Sequence, residues 1–403
     1  MTDQPQTADD VKALVAERDV RFIRFWFTDI LGQLKSFSVD PDQLDQAFQQ
    51  GLWFDGSSIT GFNAIEESDM VAMPDPSTFR VLPWRPEEQG VARMFCDVLT
   101  PERTPYEGDP RHVLRRALQR ADSLGFELFD VGAEPEYFLF RDNKNAEPLD
   151  EGGYFDLTTL DAGSDVRRDT VLALEQLGIG VDLSHHEGGP SQHEIDLRHG
   201  EAHKIADDVM TCRITVKELA LNYGWHATFM PKPLYGVNGS GMHTHMTLFR
   251  QGTNAFFDAD DPYFLSDVAK AFIAGQLRHA RELSSIFAQW VNSYKRLVPG
   301  YEAPVYVAWS RRNRSALVRV PHYHPGAEAS TRMELRCPDP ACNPYLTFAA
   351  LLQAGLEGIE KGYELPEPME RNLYRLTATE RREWDQYRVQ VTEWEKDKYL
   401  AAL

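Results

Sequence analysis

Cysteine is scarce. Its four residues (Cys96, Cys212, Cys337 and Cys342) form no Cys-x-x-Cys pair, which excludes a disulfide framework and a thiolate zinc site and fits a reducing cytoplasm. Basic side chains are in deficit as well, 42 against 62 acidic for a net charge of -20, so nucleic acid and anionic lipid would be repelled over most of the surface. No apolar run reaches membrane-spanning length, and residues 1–10 are polar and acidic, without the basic and apolar blocks of a signal peptide. The chain is therefore expected to be soluble, cytoplasmic and free of nucleic-acid and membrane partners. Neither Gly-x-x-x-x-Gly-Lys-Ser/Thr nor Gly-x-Gly-x-x-Gly occurs, so neither of those loops is there to hold a nucleotide. Internal repeats and low-complexity tracts are missing too.

The chain does have a large apolar content, 42% of 403 residues with 11% aromatic, enough for two domains of unequal size. A helix is expected at 10–19, a strand at 20–27, a helix at 41–49 and strands at 79–84 and 91–98, completing a small sheet domain. Proline and charge concentrate at 100–109, and Asp109-Pro110 has the form of a helix cap and first helical residue. Domains of 1–104 and 105–403 follow. In the second, strands are expected at 134–140, 180–187, 192–198, 242–249 and 332–336. Helices are expected at 165–177, 201–223 and 265–287, the middle one burying Ile205, Val209, Cys212, Val216 and Leu219 as one stripe.

Candidate chemistry begins at Glu134-Pro135-Glu136. On a strand the two glutamates share a face, and like charges side by side repel unless a cation or proton sits between them. One such pair also reads as a solvated strand face, but there are more carboxylates. Ser184-His185-His186-Glu187 and Gln192-His193-Glu194-Ile195-Asp196 are joined by Gly188-Gly189-Pro190-Ser191, a turn composition that folds Glu187 back toward Glu194. His243 and His245 share a strand face, as do Glu334 and Arg336. Five glutamates with one histidine form a hard-oxygen donor set suited to Mg²⁺ or Mn²⁺ rather than zinc. Taken alone, His245, His322 and His324 read as hydrogen-bonded structural residues.

Arginine gathers between 295 and 336 (Arg296, Arg311, Arg312, Arg314, Arg319, Arg332 and Arg336), reversing the local charge. Guanidinium pairs with phosphate and carboxylate through two hydrogen bonds, so such a window beside a cation site suits a phosphorylated or carboxylated substrate. Arg311 or Arg312 is also expected in surface ion pairs.

In order, Asp55-Gly56-Ser57-Ser58, Glu134-Pro135-Glu136, His185-His186-Glu187, Asn238-Gly239-Ser240-Gly241-Met242-His243, Asn292-Ser293-Tyr294-Lys295-Arg296, Gly300-Tyr301-Glu302-Ala303-Pro304, Asn313-Arg314-Ser315 and Asn343-Pro344-Tyr345-Leu346 resemble the motifs of bacterial type I glutamine synthetase. The resemblance implies an α+β fold: an N-terminal β-grasp-like domain and a larger catalytic domain with a curved antiparallel sheet flanked by helices. It further implies a dodecamer of two stacked hexameric rings, with active sites between neighbouring subunits. The implied activity is ATP-dependent ligation of ammonia to the γ-carboxylate of L-glutamate through γ-glutamyl phosphate, with two or three Mg²⁺ or Mn²⁺ per site. By motif, Glu136, Glu187 and Glu194 resemble ligands of one metal, and Glu134, His243 and Glu334 those of another. Asn238, Gly239, Arg296, Glu302 and Arg336 resemble the glutamate-binding set. Asp182, His245, Thr247, Arg314 and Arg319 resemble nucleotide-site residues. The catalytic set would be Arg314, Asp55 of the adjacent subunit, which takes a proton from ammonium, and Glu302, which closes over the intermediate.

Departures from the family are also present. Asn63 and Ala64 stand after Gly61-Phe62 where some relatives carry a feedback arginine. Tyr374 precedes Arg375-Leu376-Thr377 without the proline usual beside an adenylylated tyrosine, so no modification is expected. Between Glu383 and Trp384 most relatives have a further helical segment. Two alternatives stay open: a γ-glutamyl-amine (polyamine) ligase of the same fold, against which Asp55 and Asp69 argue, and a catalytically silent regulatory relative, against which the complete ligand set argues.

Overall fold

The computed structural model describes residues 5–62, 68–313, 315–371, 373, 377 and 379–380. It begins with a helix, α1 (Ala8–Glu17), capped by a reciprocal pair: the Thr7 hydroxyl accepts from Asp10 N at 3.2 Å and the Asp10 carboxylate accepts from Thr7 N at 2.9 Å. There follow β1 (Val20–Thr28), β2 (Leu34–Val39), α2 (Leu44–Gln50), β3 (Leu52–Asp55), β4 (Asp69–Pro74), β5 (Arg80–Val81) and β6 (Gly90–Leu99). These strands form one sheet in the order β2-β1-β6-β4-β3, with β5 also on β6; β1 and β6 run parallel, the other pairs antiparallel. Val11, Val15, Ile23, Phe25, Leu44 and Met94 close a core beneath it. The strand expected at 79–84 shrinks to two residues because Pro83 offers no N–H to a ladder.

The second part comprises α3 (Pro110–Ser123), β7 (Leu128–Phe140), α4 (Ser164–Gln176), β8 (Val181–His186), β9 (Gln192–Leu197), β10 (Gly200–Glu201), α5 (Ala202–Asn222), β11 (His226–Thr228), β12 (Met242–Arg250), β13 (Thr253–Asn254), α6 (Asp267–Phe287), α7 (Ser293–Arg296), β14 (Tyr306–Ser310), β15 (Ala316–Arg319), β16 (Met333–Leu335) and α8 (Pro344–Lys361). Its sheet runs β14-β15-β16-β12-β7-β9-β8. The antiparallel expectation needs one correction: β14 and β15 pair in parallel, so the sheet is mixed. The Asp109 side chain caps α3 by accepting from Arg111 N at 3.1 Å, with Pro110 at the first helical position. Helices α6 and α8 cross at glycine: a Cβ on Gly275 would sit 2.1 Å from the Ala354 carbonyl oxygen, and one on Gly358 2.1 Å from that of Ala271. Among the described residues no helix is long and apolar enough to cross a membrane.

The two sheets are joined through charge as well as apolar packing. Arg111, 1% exposed, donates to Asp97 of β6 at 2.6 Å and to Asp207 of α5 at 2.8 Å, and reaches Asp75 at 3.4 Å. Removing a single partner from such a buried group strands the others, which typically costs about 3–5 kcal/mol.

Candidate active site

Strand β7 is central because its neighbours change along its length. From Leu128 to Pro135 it pairs with β12, setting Glu134 opposite His243; from Glu136 to Phe138 it pairs with β9, setting Glu136 opposite Glu194. Strand alternation keeps both glutamates on one face. The register therefore gives two carboxylates, two residues apart, different companions. Next to β9, β8 brings His185 opposite Glu194; next to β12, β16 brings Glu334 opposite His245.

Two groups of potential ligand atoms result, each with its members within 4.8 Å of one another: Glu134, His243 and Glu334, and His185, Glu187 and Glu194. They line a cavity of about 390 Å³ together with Glu136, Asn238, Gly239, Arg296, Glu302, Arg319 and Arg336. A second cavity, about 340 Å³, shares Glu134, Leu183 and Asp196 with it and is lined also by Asp182, His245, Thr247 and Arg332. Both are of small-ligand size.

The groups differ electrostatically. Burial, then the charge of Glu187, pushes the Glu136 carboxyl well above its ordinary range. Burial, then Glu136, does the same to Glu194; burial also raises Glu187, and it moves Asp196 up to about 6. Here burial and mutual repulsion outweigh the nearby positive charges, Arg296 and Arg336 beside Glu136. In the other group burial also opposes ionisation, but His245 and His243 hold Glu134 well below the carboxylate range, and Arg336 and the histidines hold Glu334 down at about 2. Burial and Arg336 push His243 down to about 4, leaving its imidazole neutral as a ligand must be. Arg319 donates to Glu334 Oε2 at 2.6 Å and Arg336 to Oε1. With carboxylate oxygens and imidazoles and no thiolate, the donor set fits a hard divalent cation.

Comparison with known proteins shows tandem matches to two family models: glutamine synthetase, beta-Grasp domain, over residues 19–101, and glutamine synthetase, catalytic domain, over residues 107–400. The chain belongs to the glutamine synthetase family. It is 56% identical over 372 residues to the glutamine synthetase of Mycolicibacterium smegmatis, covering 91% of this chain and 83% of that one. To that of Methanosarcina mazei it is 47% identical over 443 aligned positions, 98% of each chain. This alignment is longer than the 403 residues here, so that relative carries residues without a counterpart in this chain. The cryo-EM structure of Plasmodium falciparum glutamine synthetase superposes with a TM-score of 0.85 at 27% identity, covering 90% of this chain and 77% of that one. The fold is accordingly that of a β-grasp domain followed by a helix-flanked catalytic sheet.

Most residues picked out by resemblance to glutamine synthetase converge on these cavities. Glu136 differs in detail: its Oε2 accepts from Gln192 Nε2 at 2.7 Å and Gly241 N at 3.0 Å, while His185 joins Glu187 and Glu194 in the close group. Arg296 reaches the cavity wall with its guanidinium donating to the carbonyls of Arg336, Cys337 and Pro338. Glu302 accepts from Asn238 Nδ2 at 3.1 Å and has φ 57°, a left-handed conformation that costs a non-glycine residue energy and recurs at functional loops. Thr247 Oγ1 donates to Asn254 at 3.0 Å, and Asp182 pairs with Arg198 at 3.0 Å.

Asp55 is not brought to the carboxylates of its own chain. It ends β3, exposed, where its Oδ1 accepts from Ser57 N at 2.8 Å and Ser57 Oγ at 2.7 Å. Arg314, Asn63, Ala64, Tyr374, Glu383 and Trp384 lie outside the described residues. Arg311 lies over the Tyr263 ring at 5.4 Å, a contact that the expectation of surface ion pairing did not include. Sequence reasoning missed His185, Gln192, Asp196 and Arg332 as site residues. The first three obey the same alternation that revealed Glu134 and Glu136: His185 shares a face with Glu187, and Gln192 and Asp196 with Glu194. Arg332 donates to His245 Nδ1 at 3.1 Å, and His245 Nε2 in turn meets Glu134 Oε1 at 2.6 Å.

Proposed function

We infer that this chain is a glutamate–ammonia ligase. The γ-carboxylate of L-glutamate attacks the γ-phosphorus of ATP, releasing ADP; ammonia then attacks the γ-glutamyl phosphate carbonyl, and phosphate leaves as glutamine forms. The observation that carries the reading is the convergence of Glu134, Glu136, Glu187, Glu194 and Glu334 on one cavity with Arg296, Arg319 and Arg336 in its wall. A carboxylate is a poor acyl donor, and a site that places guanidinium groups beside clustered carboxylates suits activation by phosphoryl transfer.

Glu187 and Glu194, with Glu136 or His185, would hold one divalent ion, and Glu134, His243 and Glu334 a second; two or three Mg²⁺ or Mn²⁺ per site is the proposed complement. Bound there, such ions supply charge compensation for the transferring phosphoryl group. Asn238, Gly239, Arg296 and Arg336 would bind glutamate. The second cavity, with Asp182, His245 and Thr247, would take the nucleotide, and Arg319 and Arg314 its phosphates. Glu302, which lines the same cavity, would shield the intermediate and take the second proton from the nitrogen once ammonia has added.

Asp55, remote from its own carboxylates, would act in the site of a neighbouring copy, where a carboxylate can bind ammonium and take the proton that makes it nucleophilic. That division of labour requires an oligomer, and a dodecamer of two hexameric rings is the proposed form. Domains meeting near 104/105 and a cytoplasmic location complete the proposal. Phosphate release with glutamate, ATP and either ammonia or putrescine tests it. Release with ammonia is expected; release with putrescine alone would identify a polyamine ligase, and no release with either amine a silent relative.

A further inference from the structure

Glu187 and Glu194 each follow a buried histidine, and each histidine is gripped from behind the cavity. His186 Nε2 donates to Asp150 Oδ1 at 3.1 Å and its Nδ1 donates to the Glu187 carbonyl at 2.7 Å. Both partners are acceptors in these contacts, so both ring nitrogens carry hydrogen. The ring is 0% exposed and the Asp150 side chain 7%. Asp150 does more than receive the histidine. Its Oδ1 accepts from Ser191 N at 2.9 Å and Gly152 N at 3.1 Å, and its Oδ2 from Ala162 N at 2.8 Å.

Ser191 has φ 55° in the turn between β8 and β9, so its held N–H fixes the tight end of that hairpin. Phe155 N donates to the His186 carbonyl at 3.1 Å, Glu187 N to the Gln192 carbonyl at 2.7 Å, and Gly188 N to Glu187 Oε2 at 2.7 Å. A side chain at position 152 has no room: its Cβ would lie 2.5 Å from the Leu160 carbonyl and 2.7 Å from His186 Nε2.

His193, before Glu194, is treated differently. Arg167 donates to its Nδ1 at 2.8 Å and, through its other terminal nitrogen, to Asp161 Oδ2 at 2.7 Å. Asp161, His186 and His193 lie close enough to suggest ligands, but the guanidinium directed at His193 makes this a hydrogen-bonded support.

We propose that Asp150 and His186 are positioning residues, fixing the backbone of Glu187 from beneath so that its carboxylate and that of Glu194 meet a divalent ion preorganised. Neither residue lines the cavity. Their effect passes through Glu187, as outer hydrogen-bond partners act on ligands elsewhere. The inference rests on reading Glu187 as a ligand.

The test is Mn²⁺ binding to the assembled, metal-free, full-length enzyme without substrates, followed by the electron paramagnetic resonance signal of free Mn²⁺. Asp150→Ala and His186→Ala are each expected to raise the dissociation constant of one Mn²⁺ per subunit about 10- to 100-fold, leaving the other within about twofold. His186→Asn, able to donate to the Glu187 carbonyl, should recover part of that loss. Asp150→Asn, which keeps the shape, replaces Asp150→Ala if the latter does not assemble. Lower melting temperatures with both dissociation constants unchanged would overturn the inference. Glu187→Ala separates the two levels. If it leaves Mn²⁺ binding intact, the ligand reading itself fails; if it weakens binding and the Asp150 and His186 variants do not, only the positioning role fails.

Discussion

His203 on α5 shows how burial is converted into pH dependence. Its Nε2 is buried without a hydrogen-bond partner, and burial, reinforced by the nearby Arg111 guanidinium, pushes the imidazole down to about 4. An unfolded histidine titrates near 6.5, so the folded state prefers the neutral ring: the stability is fully present above about pH 6.5 and is lost as pH falls toward 4. Between pH 7.5 and 5 this one group should cost about 2 kcal/mol. Urea denaturation of His203→Gln should show an acid-induced loss smaller than the unmodified chain's by that amount; equal losses would place the proton elsewhere. At the same scale, period-2 alternation made Glu134 and Glu136 legible from sequence. The use of Arg296's donors on the carbonyls of Arg336, Cys337 and Pro338 was not legible, because those contacts depend on how the loop after β16 closes.

Among the elements, α8 ties the two sheets together through its first residues. Asn343 Oδ1 caps the helix, accepting from Tyr345 N at 3.1 Å and Leu346 N at 3.3 Å, while Nδ2 donates to the carbonyls of Asp29 at 3.1 Å and Ile30 at 3.2 Å between β1 and β2. Losing an ordinary cap costs about 1 kcal/mol, and two stranded carbonyls add roughly 1–3 kcal/mol. Asn343→Asp should therefore lower the melting temperature at least as much as Asn343→Ala, although aspartate is a good cap: its carboxylate would face two acceptors. A milder effect from Asp would mean the cap alone matters. The start of α3 was readable from Asp109-Pro110 because capping is local chemistry. Strands β2, β3, β4, β14 and β15 escaped notice because they are short or lack clean alternation. Strands β2, β3 and β14 pair with the strand next to them in sequence, whereas the parallel pairing of β1 with β6 joins segments far apart, which no local pattern specifies.

For the molecule as a whole, the -20 charge and the arginine-rich stretch are two sides of one arrangement: acidic groups dominate, and basic ones gather where Glu334 and the cavity need them. The order of motifs was enough to place the chain in its family. The expected division at 104/105 puts Asp55 in the first domain, away from the carboxylates, and its service to a neighbouring copy was implied by the family resemblance alone, because contacts between copies leave no periodicity in one chain's sequence. The account depends on the two ligand groups holding divalent ions, and anomalous diffraction from crystals grown with Mn²⁺ and a non-hydrolysable ATP analogue measures that directly. It should show at least two peaks per subunit, one within ligand distance of Glu187 and Glu194 and one of Glu134, His243 and Glu334. Peaks elsewhere, or none at these glutamates at saturating Mn²⁺, would contradict it.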